Sequence, residues 1–471
     1  MLLGLDLGTA SLKAILLGKN GVIVAQASRA YTVHAPHPGW AESNPNDWWT
    51  AACEATLELG HGDEITAIGF SGQMHGVVLS DTHGRALRNA ILWADTRSSA
   101  TLQSYRNLSP QMLRRLANPL VTGMAGASLL WLKNHELELL KSARWAFQPK
   151  DWLRFQLTQE AFAEPSDASS TLLYDLEQDN WAFDIIEALE LPQTLFAPLR
   201  GSSSLAGTLS STAAKLLGLK AGIPVAAGAG DTPTAMFGAG ILESGVVQLS
   251  VGSGAQIVAP RDTATIDTTL RTHLYRAVTP KGWYAMAAMQ NAGLALEWVR
   301  AMLGMDWETA YLEAFKVQTD GLSFLPYLMG ERTPHLDPNA RGAWVGLALS
   351  HTRGHLMRAA FEGVAFAFRD GFEALLATGM SIPSLRLAGG GTTVQLWRQL
   401  LADTLQRPLY TSEISSASAR GAALLAGVAS GVFSSCKDTL KFAPTAVLVA
   451  EPQGNLEEAY QRFKALYPKI N

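Results

Sequence analysis

Two α/β domains facing each other across a cleft are what the sequence predicts, and three stretches predict it. Near the N-terminus, the apolar run Leu2–Leu7 enters the turn Gly8-Thr-Ala-Ser-Leu-Lys13. In the middle, Gly222-Ile-Pro-Val-Ala-Ala-Gly-Ala-Gly-Asp-Thr-Pro reads as a strand over 225–227, a tight glycine turn and a helix start, with Asp231 as its single acid. Half a chain after the first, Val246-Val-Gln-Leu-Ser-Val-Gly-Ser-Gly254 repeats the theme of strand feeding a Gly/Ser turn. That spacing is far too long for a solenoid and fits two related domains. At 471 residues the chain is also too long for one ordinary core. The central position of Asp231 sets the expected domains at 1–241 and 242–471.

Composition excludes several classes. Hydrophobic residues make up 48% and charged residues 17%, the balance of a well-packed globular enzyme. A net charge of -4, with no long like-charge run, gives no basic surface for nucleic acid. The two cysteines, Cys53 and Cys436, lie far apart without CxxC context, so neither a disulfide nor a metal site is signalled. The N-terminal run is interrupted by Asp6 and Lys13 with no basic segment before it, and it reads as a strand rather than a signal peptide. No apolar run is long enough to span a bilayer. The expected location is the cytoplasm.

The elements follow in order. The turn at Gly8, with the hydroxyls of Thr9 and Ser11, presents N–H groups suited to phosphate oxygens. Asp6 suits Mg²⁺, which takes few carboxylates and keeps its waters, and Lys13 reaches a phosphate as a point charge. A plain hairpin turn is the alternative for this stretch. Asn44-Pro45 is an N-cap followed by proline at the first helical position, predicting a helix over 46–59. A strand over 65–70 enters Ser71-Gly-Gln-Met-His-Gly76, a polar loop at a strand end, where ligands sit in open α/β sheets. Gln73 and His75 can donate to and accept from sugar hydroxyls, and Met74 adds an apolar wall. Ile91-Leu-Trp-Ala-Asp-Thr-Arg97 reads as a strand ending in Asp95 and Arg97, either a salt bridge or a polar site wall. An amphipathic helix is expected over 129–138, and another begins at Pro149-Lys-Asp151.

In the central stretch, Pro233 fits the first turn of a helix running to about 237. Asp231 is then either an N-cap or a carboxylate held at the mouth of a helix for chemistry. Residues 321–328 are strand-like, and Gly330-Glu-Arg-Thr-Pro-His335 is a polar loop. His351 and His355 are four apart, but Thr352-Arg-Gly354 between them reads as a turn and no third ligand is evident, so no zinc site is expected. A long apolar helix is expected over 356–375. Leu385-Arg-Leu-Ala-Gly-Gly-Gly-Thr-Thr393 is a strand followed by Gly389, Gly390 and Gly391, which let backbone lie flat against a base or ribose. A helix over 394–405 follows, then a polar turn at 415–418 and a small-residue helix from Gly421 to Gly427.

Taken together, Asp6-Leu-Gly-Thr9, the central Gly230-Asp231 and the glycines 389–391 resemble a sugar kinase of the actin/hexokinase/Hsp70-like (ribonuclease H-like) superfamily. Gly342-Ala-Trp-Val-Gly-Leu, then seven residues, then His355-Leu-Met-Arg-Ala-Ala-Phe-Glu362 follows the C-terminal signature of the FGGY carbohydrate kinase family. Within that family, Gly72-Gln-Met-His-Gly76, Ile91-Leu-Trp-Ala-Asp95, Pro149-Lys-Asp151 and Gly330-Glu-Arg-Thr-Pro-His335 are most similar to the xylulokinase branch. Two positions depart from the family pattern. Ala127-Ser128 stands where lysine usually precedes Leu-Leu-Trp, and Thr232 stands where xylulokinases usually carry Asn.

The resemblance implies ATP-dependent phosphorylation of a small open-chain sugar, D-xylulose at C5, in an inter-domain cleft. It implies Asp231 as the catalytic base, Gln73, Met74, His75 and Thr232 at the sugar, and Asp6 at Mg²⁺. Gly8, Thr9 and Lys13 would flank the ATP phosphates from one side and Gly252, Ser253 and Gly254 from the other, with Gly389, Gly390 and Gly391 at the adenosine. The expected partners are the sugar and ATP, with no nucleic acid or membrane, in a homodimer. Thr232 offers one short hydroxyl in place of an amide, which bears on the choice of sugar. Two rival readings are a kinase for another ketose or sugar alcohol, and a non-catalytic actin-like nucleotide-binding module. The polar loop at 73–75 and the carboxylate at 231 argue against the module.

Overall fold

The structure is a computed structural model describing all residues, Met1–Asn471. Two seven-stranded sheets carry it. The first is built from β1 (Leu2–Leu7), β2 (Ser11–Leu17), β3 (Ile23–Ala30), β4 (Ala67–Gly72), β5 (Leu205–Thr208), β6 (Pro224–Ala226) and β7 (Ala229–Gly230). Its order is β5-β6-β4-β1-β2-β3, with β7 also pairing β4. The second uses β8 (Val247–Val251), β9 (Ala255–Arg261), β10 (His273–Arg276), β11 (Trp283–Met289), β12 (Leu385–Ala388), β13 (Leu409–Thr411) and β14 (Val447–Ala450), in the order β10-β11-β9-β8-β12-β13-β14.

Each sheet repeats one plan. The first strand forms a hairpin with the second and runs parallel to a strand from much later in its half: β1 to β4, β8 to β12. The two predicted Gly/Ser turns are these two hairpin ends. β2 starts at Ser11, earlier than its apolar run suggests, because Lys13 pairs with Asp6 across the ladder.

Helix α1 (Pro45–Leu59) begins as expected, with the Asn44 side chain accepting from Asn46 N at 3.1 Å. It buries Trp48, Ala51, Ala52 and Ala55 as part of the main core. Helix α2 (Pro149–Thr158) starts at the predicted proline. Helix α3 (Asp231–Gly238) follows β7, α4 (Gly293–Met302) follows β11, and α5 (Arg353–Leu376) is the long apolar helix. Helix α6 (Gln395–Leu405) precedes β13, and α7 (Ala417–Ala429) precedes β14.

The last of these does not stay with its own half. Helix α7 lies on the first sheet, and glycines make that possible. A Cβ on Gly4 would come 2.1 Å from Ala419 O, and one on Gly69, the ladder partner of Gly4, 2.0 Å from Ala422 O. The same helix crosses α3 at backbone contact. A Cβ on Gly421 would lie 2.0 Å from Thr234 O, and one on Gly238 2.0 Å from Ala417 O. Small residues allow backbones to approach this closely because nothing but hydrogen projects between them.

Three local expectations change. The helix expected at 129–138 is Ala125–His135, and Ala125 to Leu132 are all buried, so it is enclosed all round rather than amphipathic. The strand expected at 91–97 covers only Ala90–Ile91. Beyond it Asp95 takes the Ala41 N–H at 2.6 Å and pairs with Arg97 at 2.7 Å, while Arg97 also meets Glu42 at 2.8 Å. Both side chains are 1% exposed, so the pair is a buried salt bridge within the core. At 351–355 a helix does begin, at Arg353, and His355 Nδ1 serves its cap by accepting from Thr352 N at 3.2 Å. No cluster of three or more His, Cys, Asp or Glu side chains suited to a metal is present, and no helix is long and apolar enough to cross a membrane.

Candidate active site

The sheet register lays the site out. Lys13 pairs with Asp6, Asp6 with Ser71, and Ser71 with Ala229. Directly opposed residues project to one face, so a cation, a carboxylate and a hydroxyl stand in one row. Two residues on from Gly4, where α7 touches the sheet, Asp6 shares Gly4's face. Two residues after Ala229 the chain reaches Asp231.

Asp231 is the first residue of α3, with Gly230 as its cap. One carboxylate oxygen, Oδ1, accepts from Thr232 N at 2.6 Å and from the Thr232 hydroxyl at 3.3 Å. The side chain lines a cavity of about 200 Å³ between the halves, with Thr232, Gln248, Ser250, Gln256 and Ser418. It is half-buried by surface, reached only through that crevice, and protein surrounds it on the other sides. Burial first, and then the charge of Asp6, push its pKa up to about 7, against the local pull of the Thr232 bonds. A carboxylate poised there is suited to accept a proton near neutral pH.

Asp6 itself is raised by burial, and its Oδ1 is buried without a hydrogen-bond partner. An orphaned carboxylate oxygen beside a second carboxylate fits a cation better than an empty core, because an unpaired buried charge is costly. One or two carboxylates, with waters and phosphate oxygens completing the shell, is the donor set Mg²⁺ takes with nucleotides.

The two hairpin turns have their carbonyls fixed and some of their N–H groups free. In the first, Gly8 O accepts from the Tyr31 hydroxyl and from Gln73 Nε2 at 3.2 Å. No protein acceptor takes the N–H of Thr9 or Ala10. In the second, Gly252 O accepts from Gly293 N at 3.0 Å, and Ser253 O from Ala292 N at 3.1 Å and Leu294 N at 3.0 Å. The N–H groups of Ser253 and Gly254 have no protein acceptor. Gly252 is not in the left-handed region; a Cβ there would meet nothing closer than 3.9 Å. Glycine therefore keeps space in front of this turn rather than allowing an unusual backbone.

The triple glycine divides in the same way. Gly389 has φ +88, and its Cβ would lie 2.3 Å from Val251 O; a Cβ on Gly391 would meet Val251 Cγ1 at 2.9 Å. Both are required by packing on the end of β8. Gly390 has nothing within 4 Å and is the one glycine of the three with an open face.

The polar loop after β4 is more deeply tied than its sequence suggests. Gln73 is 1% exposed, spends its amide on the Gly8 turn, and keeps only an unpartnered Oε1. Met74 runs beneath Gly230, with Tyr284 OH donating to its sulfur at 3.7 Å. His75 has φ 71 and donates from Nδ1 to Ser170 O at 2.8 Å. Burial holds its pKa down to about 4, so the ring is neutral with Nε2 as an acceptor. Thr9 accepts from Trp93 Nε1 at 2.9 Å, which puts an exposed indole at the first turn.

The structure thus brings Asp6, Gly8, Thr9, Lys13 and Gln73 together, sets Met74 beneath the Asp231 turn, and groups Asp231 with Thr232. Gly252 to Gly254 and Gly389 to Gly391 form a second group around Val251. Gln248, Ser250 and Gln256, which face Asp231 from β8 and β9, were not signalled by the sequence. Their alternation with apolar residues in Val-Gln-Leu-Ser-Val was the available sign, since period-2 polarity gives a strand one wet face. Tyr284 gave no sign, standing in an otherwise apolar strand.

Comparison with known proteins agrees with this architecture. Residues 1–238 match the model of the FGGY family of carbohydrate kinases, N-terminal domain, and residues 247–430 its C-terminal domain. The chain is 34% identical to the xylulose kinase of Escherichia coli (strain K12), covering 100% of this chain and 97% of that protein. Among solved structures it is similar to a xyloylose kinase from Brucella ovis, with TM-score 0.93 and 32% identity over 100% of this chain and 99% of that one. It is also similar to gluconate kinase from Lactobacillus acidophilus, with TM-score 0.92 and 26% identity over 99% and 96%. On the matched halves, the duplicated sheets and the full-length relatives, the chain belongs to the FGGY family of carbohydrate kinases and is an ATP-dependent sugar kinase.

Proposed function

We propose that this kinase phosphorylates the C5 hydroxyl of D-xylulose, giving D-xylulose 5-phosphate and ADP, with Asp231 as the base. The observation that carries the base assignment is a carboxylate with one free oxygen in the inter-domain crevice, its pKa pushed up to about 7. Full-length likeness to xylulose kinases supports the sugar. Asp231 takes the hydroxyl proton as the oxygen attacks the γ-phosphorus, and the bond from that phosphorus to the β–γ bridging oxygen breaks towards ADP. Such transfer depends on positioning and charge stabilisation more than on covalent help.

Lys13 and the free N–H groups of both hairpin turns would hold phosphate oxygens, and the open face of Gly390 would lie against the nucleoside. Asp6, with Asp231 near it, would hold Mg²⁺; when bound, that ion supplies counter-charge to the phosphates. Gln73 Oε1 and His75 Nε2 offer acceptors to sugar hydroxyls, and closure of the crevice limits transfer to water. Lys13→Ala and Gly252→Val should each raise the KM for ATP, the lysine variant by about tenfold or more, as expected for a lost bond to a charged group, with free sugar affinity unchanged. Normal use of ATP by both variants would leave these turns as plain hairpins.

A kinase for another ketose or polyol is the second reading, favoured by Thr232 and by the likeness to a gluconate kinase. Thr232 makes a local bond to Asp231 rather than reaching outward with an amide. Thr232→Asn should lower the KM for D-xylulose severalfold, since a bond to a neutral hydroxyl is worth ~0.5–1.5 kcal/mol. The test is kcat/KM for both proteins over a panel of pentuloses, pentitols and aldonates. Unchanged ratios across the panel would remove Thr232 from the sugar site.

A further inference from the structure

The turn that carries Asp231 rests on a buried ionic cluster that the reaction itself does not use. Lys150, Asp151, Arg154, Glu164 and Asp167 are each 0% exposed. Lys150 Nζ lies 2.8 Å from Asp151, 3.1 Å from Asp167 and 3.7 Å from Glu164. Arg154 Nη1 donates to Asp151 at 2.6 Å and to Ala227 O at 2.7 Å. That second bond fixes the chain four residues before Asp231.

The other side of the turn is fixed through Ser166. Its hydroxyl donates to Glu164 Oε2 at 2.6 Å and accepts from Gly230 N at 3.0 Å, immediately before Asp231. Glu164 is itself held by Ser166 N at 2.9 Å, by Asp167 N at 3.2 Å and by the Ser202 hydroxyl. A few residues on, Ser170 O receives the His75 ring, and Ser169 Oγ accepts from Arg276 N of the second sheet at 3.0 Å. One segment, 164–170, therefore touches the Asp231 turn, His75 and the opposite domain.

Five buried charges are a poor device for stability, because desolvation offsets the attraction and apolar replacements of such groups are often neutral or better. What they do supply is fixed geometry, since each hydrogen bond holds only over a narrow range of distance and angle. We propose that Ser166, held by Glu164 on the Lys150 cluster, is a positioning residue for Asp231, and that segment 164–170 sets Asp231 and His75 at one spacing for the sugar. This rests on the reading of Asp231 as the base.

The test compares two serines that donate to the same buried carboxylate. Ser166→Ala loses the link to Gly230 N, whereas Ser202→Ala loses only a bond to Glu164. Ser166→Ala is expected to lower kcat by ~10–100-fold, the effect of a reacting group displaced by about 1 Å, with the KM for ATP unchanged. Ser202→Ala should lose comparable thermal stability yet keep kcat within about twofold, as its bond does not reach the Asp231 turn. Equal kcat losses in the two, or no loss in Ser166→Ala, overturn the proposal. If Ser166→Ala does not accumulate folded, Ser166→Cys, similar in size but a weaker acceptor, is read by the same criteria. Asp231→Asn is assayed alongside. Turnover surviving there refutes the base assignment, while a dead Asp231→Asn beside a fully active Ser166→Ala refutes the positioning role alone.

Discussion

Asp231→Asn should lower kcat for sugar-dependent ATP turnover by about 10²–10⁴-fold, the usual worth of a positioned base, while ATP still binds. The amide keeps the volume of the carboxylate and can still accept the Thr232 N–H, so the start of α3 is retained. What is lost is the proton acceptor. The wild-type pH profile should carry the same signature. With the Asp231 pKa pushed up to about 7, the base is protonated below that value, and kcat/KM for the sugar should fall as pH drops through about 7. His75, held down to about 4 by burial, stays neutral over that range and does not contribute to the limb. Steady-state rates from pH 5 to 9 on both proteins check this. A variant with near wild-type kcat, or one that keeps the acid limb, would remove Asp231 from proton transfer.

Local chemistry made the Asp231 turn readable from the sequence, and long-range packing hid what supports it. Asp6, Lys13 and the two Gly/Ser turns lie at the ends of short apolar strands, where composition and turn residues act within a few positions. Gly252 and Gly390 were noted as glycines, but whether a glycine serves conformation or space depends on what lies opposite. For Gly389 that is Val251 O, from another part of the chain. The Ile91–Arg97 stretch has strand propensity throughout, yet the Asp95 and Arg97 ion pair folds it away after two residues. Ser166 sits in a serine-rich run that reads as an ordinary loop; its role depends on Gly230, 64 positions away.

Gly421→Val should destabilise the protein and impair catalysis together. By helix propensity alone, replacing a glycine inside α7 is favourable by several tenths of a kcal/mol. Packing predicts the opposite sign, because the new Cβ would stand 2.0 Å from Thr234 O and 2.8 Å from Thr234 Cγ2. Backbone cannot be displaced like the end of a flexible side chain, so α3 must move. Overpacking of this kind typically costs ~1–3 kcal/mol, and for a protein of this size each kcal/mol lowers Tm by about 2–4 °C or less. Since Asp231 opens α3, the shift should also lower kcat, again by ~10-fold or more for a displacement approaching 1 Å. Thermal unfolding and steady-state kinetics on the same preparation check both effects. A raised Tm would mean that propensity wins and that α7 and α3 do not meet at backbone contact.

The most direct measurement is ADP release with D-xylulose and MgATP, followed by phosphorus NMR of the product and comparison over the same panel of pentuloses, pentitols and aldonates. The account predicts that D-xylulose gives the highest kcat/KM, that product forms in step with ADP, and that the phosphate is on O5. ADP release independent of any sugar, or a panel in which a polyol or aldonate is used well and D-xylulose is ignored, would contradict it.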